Sequence, residues 1–168
     1  MNIFLFQNLR PTSMAMLLML ATIPTLSALG ADAPKEAIFV NPGEIKWQDA
    51  PPTLPKGAKI AVLYGDPGKP GPFVMRLRAP SGYKIPPHWH TQTENLTIVS
   101  GAFHFGSADK QDPASEHVMK AGSYHYLPAK AHHYAYTKEA TVVQIHGDGP
   151  FDIHYVNEAD DPQKSAAK

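Results

Sequence analysis

Hydrophobic residues in this chain recur with a period of two and come in short runs, which is the signature of strands rather than helices. Residues 73–79 alternate most cleanly, with Phe73, Met75, Leu77 and Ala79 on one face and Val74, Arg76 and Arg78 on the other. Residues 59–64 form another strand candidate, closed by the stretch 65–72, in which every position but Lys69 is Gly, Pro or Asp. Further short strands are predicted at 96–100, 102–105, 118–119, 124–127, 133–136, 141–146 and 151–156, and the two that flank Gly101 are expected to pair as a hairpin. Between 34 and 55 the apolar islands 38–40 and 45–47 are expected as edge strands or as a lid, with Trp47 packing. Residues 107–116 read as an irregular loop, and the tail 158–168 as mobile, because it has too few apolar residues to pack. No stretch has the length or period of a substantial helix. About ten short strands predict an all-β barrel or jelly roll.

Composition narrows the picture. The chain has 168 residues, 43% of them hydrophobic, enough for one domain with one core. Lys plus Arg and Asp plus Glu both number 15, which leaves no basic stripe for nucleic acid. The absence of cysteine excludes disulfides, a thiolate nucleophile and Cys-based zinc sites, so metal chemistry falls to His and Glu. At the N-terminus, Arg10 precedes a mostly apolar stretch, 14–29, that ends in the small residues of Ala28-Leu29-Gly30, as an export signal does. Thr22, Pro24, Thr25 and Ser27 interrupt it, and it falls short of the roughly 20 residues needed to span a bilayer. The expected layout is a signal peptide at 1–30, a barrel domain at 31–157 and the tail, in a secreted or periplasmic protein with no stable membrane insertion after cleavage.

The chemistry concentrates in the run from Gly82 to Gly101, which contains His88, His90 and Glu94. Side chains at i and i+2 of a strand share a face, so His88 and His90 can aim at one ion. Glu94 has the same parity, yet at roughly 3.3 Å per residue a straight strand leaves it about 13 Å from His90. The chain must therefore turn at Thr91-Gln92-Thr93, a polar triplet suited to a corner.

This run resembles the first motif of the cupin superfamily: a Gly, five residues, His-x-His, three residues, Glu, six residues, Gly. The second motif of that superfamily is matched imperfectly from Gly122 through Pro128 to His133, with Lys130 in place of a Gly and Thr137 in place of an Asn. Lys130 is expected to mean a different turn before His133, and Thr137 a structural substitution. The resemblance implies a single double-stranded β-helix (jelly-roll or cupin) barrel. It also implies one divalent transition metal, Fe, Mn, Ni, Cu or Zn, held by His88, His90, Glu94 and His133. His132 competes for the fourth place, and register with Pro128 favours His133. Glu94 is additionally the candidate catalytic residue, able to leave the ion transiently and move a proton.

All nine histidines lie between 88 and 154. His125 is expected at the surface or just behind the ligands, and His104, His117 and His154 at the surface or in packing. Gln144 and His146 share a face opposite Val143 and Ile145 and are candidates for the substrate pocket. Tyr126 is a further candidate, from the cluster Tyr124, Tyr126, Tyr134 and Tyr136. Two functions remain open. One is a metal-dependent enzyme, dioxygenase-like or isomerase-like, acting on a small bidentate oxygen-rich substrate. The other is a non-catalytic exported module that binds or senses a small ligand or metal. Resemblance also implies a homodimer.

Overall fold

The computed structural model describes residues 36–165. The predicted leader and the last three residues lie outside them. Eleven strands are described: β1 (Gln48–Asp49), β2 (Lys59–Tyr64), β3 (Gly71–Ala79), β4 (Lys84–Trp89), β5 (Glu94–Ser100), β6 (Ala102–Gly106), β7 (His117–Lys120), β8 (Tyr124–Leu127), β9 (His133–Thr137), β10 (Thr141–Gly149) and β11 (His154–Tyr155). They form two antiparallel sheets, in the orders β1-β2-β3-β10-β5-β8 and β11-β4-β9-β6-β7. The expected all-β jelly roll is therefore present. Its core lies between the sheets and includes Phe73, Leu77, Leu96, Ile98, Phe103, Phe105, Val143 and Ile145, and the alternation read in 73–79 is the buried face of β3.

The hairpin expected across Gly101 does not form. β5 pairs with β10 and β8, whereas β6 pairs with β7 and β9, so the chain changes sheets at this glycine. Gly101 has φ +77°, and a Cβ there would lie 2.5 Å from the carbonyl oxygen of Ala140. The corner is pinned by Thr141, whose buried hydroxyl donates to the carbonyl of Ala102 at 2.9 Å. A two-residue hairpin would have left one sheet with both strands and the sandwich without its crossover.

Residues 107–116 cover the outer face of the five-stranded sheet. Tyr134 is fully buried there, its hydroxyl donating to the Asp112 carbonyl at 3.0 Å and accepting from the Asp112 amide at 2.9 Å. Tyr136 donates to Glu116 at 2.7 Å and stacks on buried His104 at 4.6 Å. These tyrosines pack and face away from the cavity.

One further expectation changes. Residues 38–40 form neither a strand nor a lid; Ile38, Phe39 and Val40 are exposed, and only β1 pairs, against Lys59 and Ile60. Half-buried Trp47 packs beneath the Arg78 guanidinium, 3.9 Å from its ring centroid. Within the tail, a 3-10 turn (Glu158–Asp160) is followed by a short helix, α1 (Pro162–Ser165). Polar capping builds what apolar content could not: the Asn157 side chain accepts from the Ala159 amide, and Asp161 from the Gln163 amide.

Candidate metal centre

Two prolines decide where the first histidines point. From Ile85, whose side chain is in the core, simple alternation would carry Pro87 and Trp89 inward and His88 outward. The β4–β9 register shifts between Ile85 and His88, and the extra residue at Pro86-Pro87 reverses the phase. Proline cannot donate to a ladder, so a bulge is a natural place for the pair. His88 and His90 thereby become buried, at 3% and 7% exposure, and His88 comes to lie opposite His133 in the ladder.

The three rings meet closely. Centroids are 4.0 Å apart for His88 and His133, 5.0 Å for His88 and His90, and 5.1 Å for His90 and His133. One ring nitrogen of each lies within 4.8 Å of the others. Each ring is anchored through Nδ1 to a main-chain carbonyl: His88 to Pro86 at 2.7 Å, His90 to Asp152 at 2.5 Å, and His133 to Ala131 at 3.0 Å. A carbonyl only accepts, so Nδ1 carries the proton and Nε2 is left with its lone pair, the tautomer a metal ligand requires. His90 Nε2 is buried without a hydrogen-bond partner. A cluster of lone pairs, one of them orphaned, fits a bound cation and suits no purely apolar packing role.

Glu94 is buried beside this cluster, with Oε2 3.5 Å from His133 Nε2 and 3.3 Å from His125 Nε2. Burial alone would push its carboxyl up, but the hydrogen bond from His125 and the neighbouring imidazoles outweigh that and hold it at about 2. The corner expected at Thr91-Gln92-Thr93 is present as a bend. It is fastened from outside both motifs: Asp152 accepts from the Thr91 amide at 2.7 Å and from its hydroxyl at 2.6 Å. Burial raises the Asp152 carboxyl, whereas these two bonds and His154 bring it down to about 2. Phe151 stacks on His90 at 4.3 Å. No local pattern in the sequence marks Phe151 or Asp152, since their role depends on β11 returning alongside β4.

At the second motif, His133 points into the cluster, while His132 is exposed and paired with Asp109 at 2.5 Å. Lys130 has φ +63°, so it adopts the left-handed conformation open to glycine and makes the glycine-type turn rather than a different one. Its amide donates to the His90 carbonyl at 2.8 Å, tying the two motifs together. Thr137 is structural: its hydroxyl accepts from the Tyr83 amide at 3.1 Å and donates to the Pro80 carbonyl.

The pocket candidates are corrected. Along β10, Thr141, Val143 and Ile145 share the buried face, so Gln144 and His146 lie on the opposite face, where Gln144 accepts from Arg76 at 3.2 Å. Tyr126 is 56% exposed on the outside of β8. The same parity turns His125 inward. A cavity of about 30 Å³ adjoins the cluster, lined by His88, Glu94, His125 and His133 and otherwise by apolar side chains from both sheets, Phe105 and Ile145 among them. A separate surface groove of about 310 Å³, lined by Ile38, β2 and the 65–72 turn, shares no lining residue with the cavity.

Burial holds His88 and His133 neutral. The His133 ring is lowered to about 4, chiefly by desolvation, and His88 is well below its ordinary value for the same reason, reinforced by His133 and His90. In the unfolded chain these rings take up protons below pH 6.5, whereas folded His133 does so only near 4, so stability falls as pH drops through that window. Metal-free protein is therefore expected to lose about 2 kcal/mol from His133 alone between pH 7 and 5. Urea unfolding at the two pH values measures this, and equal stability would mean that the ring takes up protons in the fold as readily as in the unfolded chain.

Comparison with known proteins places this geometry. The sequence model of the ChrR cupin-like domain matches residues 35–152. No curated protein matches the sequence. Among solved structures, a polyketide cyclase from Streptomyces resistomycificus superposes with a TM-score of 0.64 at 14% identity, over 79% of this chain and 94% of its own. An acetylacetone dioxygenase from Acinetobacter johnsonii gives 0.59 at 13% identity, over 77% and 83%. An RmlC-like cupin from Shewanella frigidimarina gives 0.52 at 16%, over 67% and 91%. At these identities the likeness is one of fold.

Proposed function

The chain belongs to the ChrR cupin-like family of the cupin superfamily, and from that premise we propose that it is an exported, metal-dependent, dioxygenase-like enzyme acting on a small substrate with two oxygens. The observation that carries the metal is the orphaned, buried Nε2 of His90 within a cluster of three rings whose Nδ1 atoms are already anchored to carbonyls. His88, His90 and His133 would hold one divalent ion, Fe, Mn, Ni, Cu or Zn, with Glu94 as fourth ligand. When bound, the ion supplies Lewis acidity or electron transfer toward dioxygen.

The chain's own residues supply the rest. Glu94 can accept a proton from a bound ligand, being ionised and fixed on His125. Leu77, Ile85, Leu96, Phe103, Phe105 and Ile145 exclude water and leave room for an apolar body of few atoms. A substrate that fits turns its oxygens toward the imidazoles and its carbons toward this wall. Export rests on the apolar stretch 14–29 and its small-residue end. A homodimer rests on resemblance to other cupins, and a monomer mass in solution scattering would refute it.

The lining favours a second reading. Apart from Glu94 the cavity holds no carboxylate or amine, as suits a module that captures a ligand without converting it. Metal analysis of protein isolated from its own compartment, followed by oxygen uptake on a panel of diols and aromatic diols, separates the two. Turnover supports the enzyme, and tight binding without turnover, whatever metal is supplied, supports the module. In the same preparation His133→Ala is expected to lose most of the metal and His132→Ala to retain it. The reverse order would overturn the assignment of His133.

A further inference from the structure

His125 is the one cavity-lining imidazole outside the metal cluster, and its two nitrogens have different surroundings. Nε2 faces the Glu94 carboxylate at 3.3 Å, and a carboxylate only accepts, so Nε2 donates. The ring is wedged against Phe105, with centroids 4.7 Å apart, and its side chain is 11% exposed. Nδ1 is buried and has no hydrogen-bond partner. In a neutral ring whose Nε2 donates, Nδ1 is an acceptor. A buried acceptor without a donor is costly, and leaving it so is worthwhile where a ligand supplies the donor.

The remaining lining offers no substitute. The other polar lining residues are His88, His133 and Glu94, and the rest are apolar. Both histidines have Nδ1 tied to a carbonyl, and Glu94 is an acceptor already engaged by His125. His125 Nδ1 is thus left to receive a donor from the ligand.

We propose that His125 is a specificity-determining residue that accepts a hydrogen bond from a ligand hydroxyl or N–H, while its other nitrogen positions Glu94. This deepens the reading above and rests on it. The substrate class narrows to small molecules that carry, besides an oxygen for the ion, a hydrogen-bond donor a short distance away. Hydroxy acids and enediols qualify, and aprotic esters and ethers do not.

The test compares glycolate with fluoroacetate, which is of similar size and carries no donor, by titrating the Co²⁺-loaded full chain and following its visible absorption. Any chelation of the ion by the glycolate hydroxyl is common to all variants, so the readout is the change in preference between them. In wild type the ratio of the two Kd values is expected to favour glycolate about tenfold more than in His125→Phe. His125→Gln, which keeps an acceptor, is expected to restore part of the preference. If the Phe variant does not fold, His125→Met fills similar space flexibly and serves the same comparison. An unchanged ratio in the apolar variant overturns the proposal while the metal reading stands. Failure of Co²⁺-loaded wild type to bind either acid overturns the ligand-binding reading and this proposal with it.

Discussion

Replacing His90 by alanine is expected to reduce bound metal from about one ion per chain to less than a tenth of that, in protein that remains folded. The substitution removes the one cluster nitrogen that is buried without a partner, and loss of a direct ligand should exceed the 10- to 100-fold affinity cost typical of losing a supporting group. It also takes a donor from the Asp152 carbonyl and a ring from Phe151, so some stability is lost, on the order of 1–3 kcal/mol. The fold should survive, because the core between the sheets is untouched and Asp152 still holds Thr91 through its side chain. Plasma mass spectrometry of purified wild type and variant decides the matter. Equal metal content in the two, with circular dichroism showing both folded, would remove His90 from the site.

Gly101→Ala is expected to be strongly destabilising, costing about 3 kcal/mol or more. Two effects add. A non-glycine residue in the left-handed region costs about 1–2 kcal/mol, and here the methyl also meets the Ala140 carbonyl oxygen at 2.5 Å and Thr141 Cα at 2.9 Å, backbone atoms that cannot swing aside. Overpacking of that kind costs about 1–3 kcal/mol. Gly122 provides the internal control: its φ is +87°, but a methyl group added there would meet nothing within 4 Å. Gly122→Ala should therefore show the conformational cost alone, roughly 1–2 kcal/mol. Thermal melts should differ accordingly, with a fall of roughly 10 °C at Gly101 and roughly half that at Gly122. Equal losses at the two positions would mean that the close approach at the sheet crossing is not rigid.

Much of the site was legible because it follows from local spacing. His88, His90 and Glu94 sit close together in sequence, and a corner at 91–93 was required by reach alone. His133 was legible through its register with Pro128. The failures share a cause. Gln144, His146 and Tyr126 were placed by composition and parity within their own strands, but parity fixes only which residues share a face, and the face that meets the core is chosen by the partner sheet. For β10 and β8 that choice put Ile145 and His125 inside. The hairpin at Gly101 failed in a similar way, since a glycine between two short strands is equally compatible with a tight turn and with a crossing between sheets.

What the sequence determined by itself is the material of the protein: period-two strands, one core, no cysteine, and a run of His and Glu at ligand spacing. These depend on covalent order and on the geometry of a single strand. The tertiary structure decided the rest. The bulge at Pro86-Pro87 is defined only against β9, and it aims the histidines inward. Asp152 reaches Thr91 across 61 positions of chain, and His125 meets Glu94 because β8 pairs with β5. Side-chain direction in a strand is relative until a second sheet covers one face, and only that packing turns a spacing into a site.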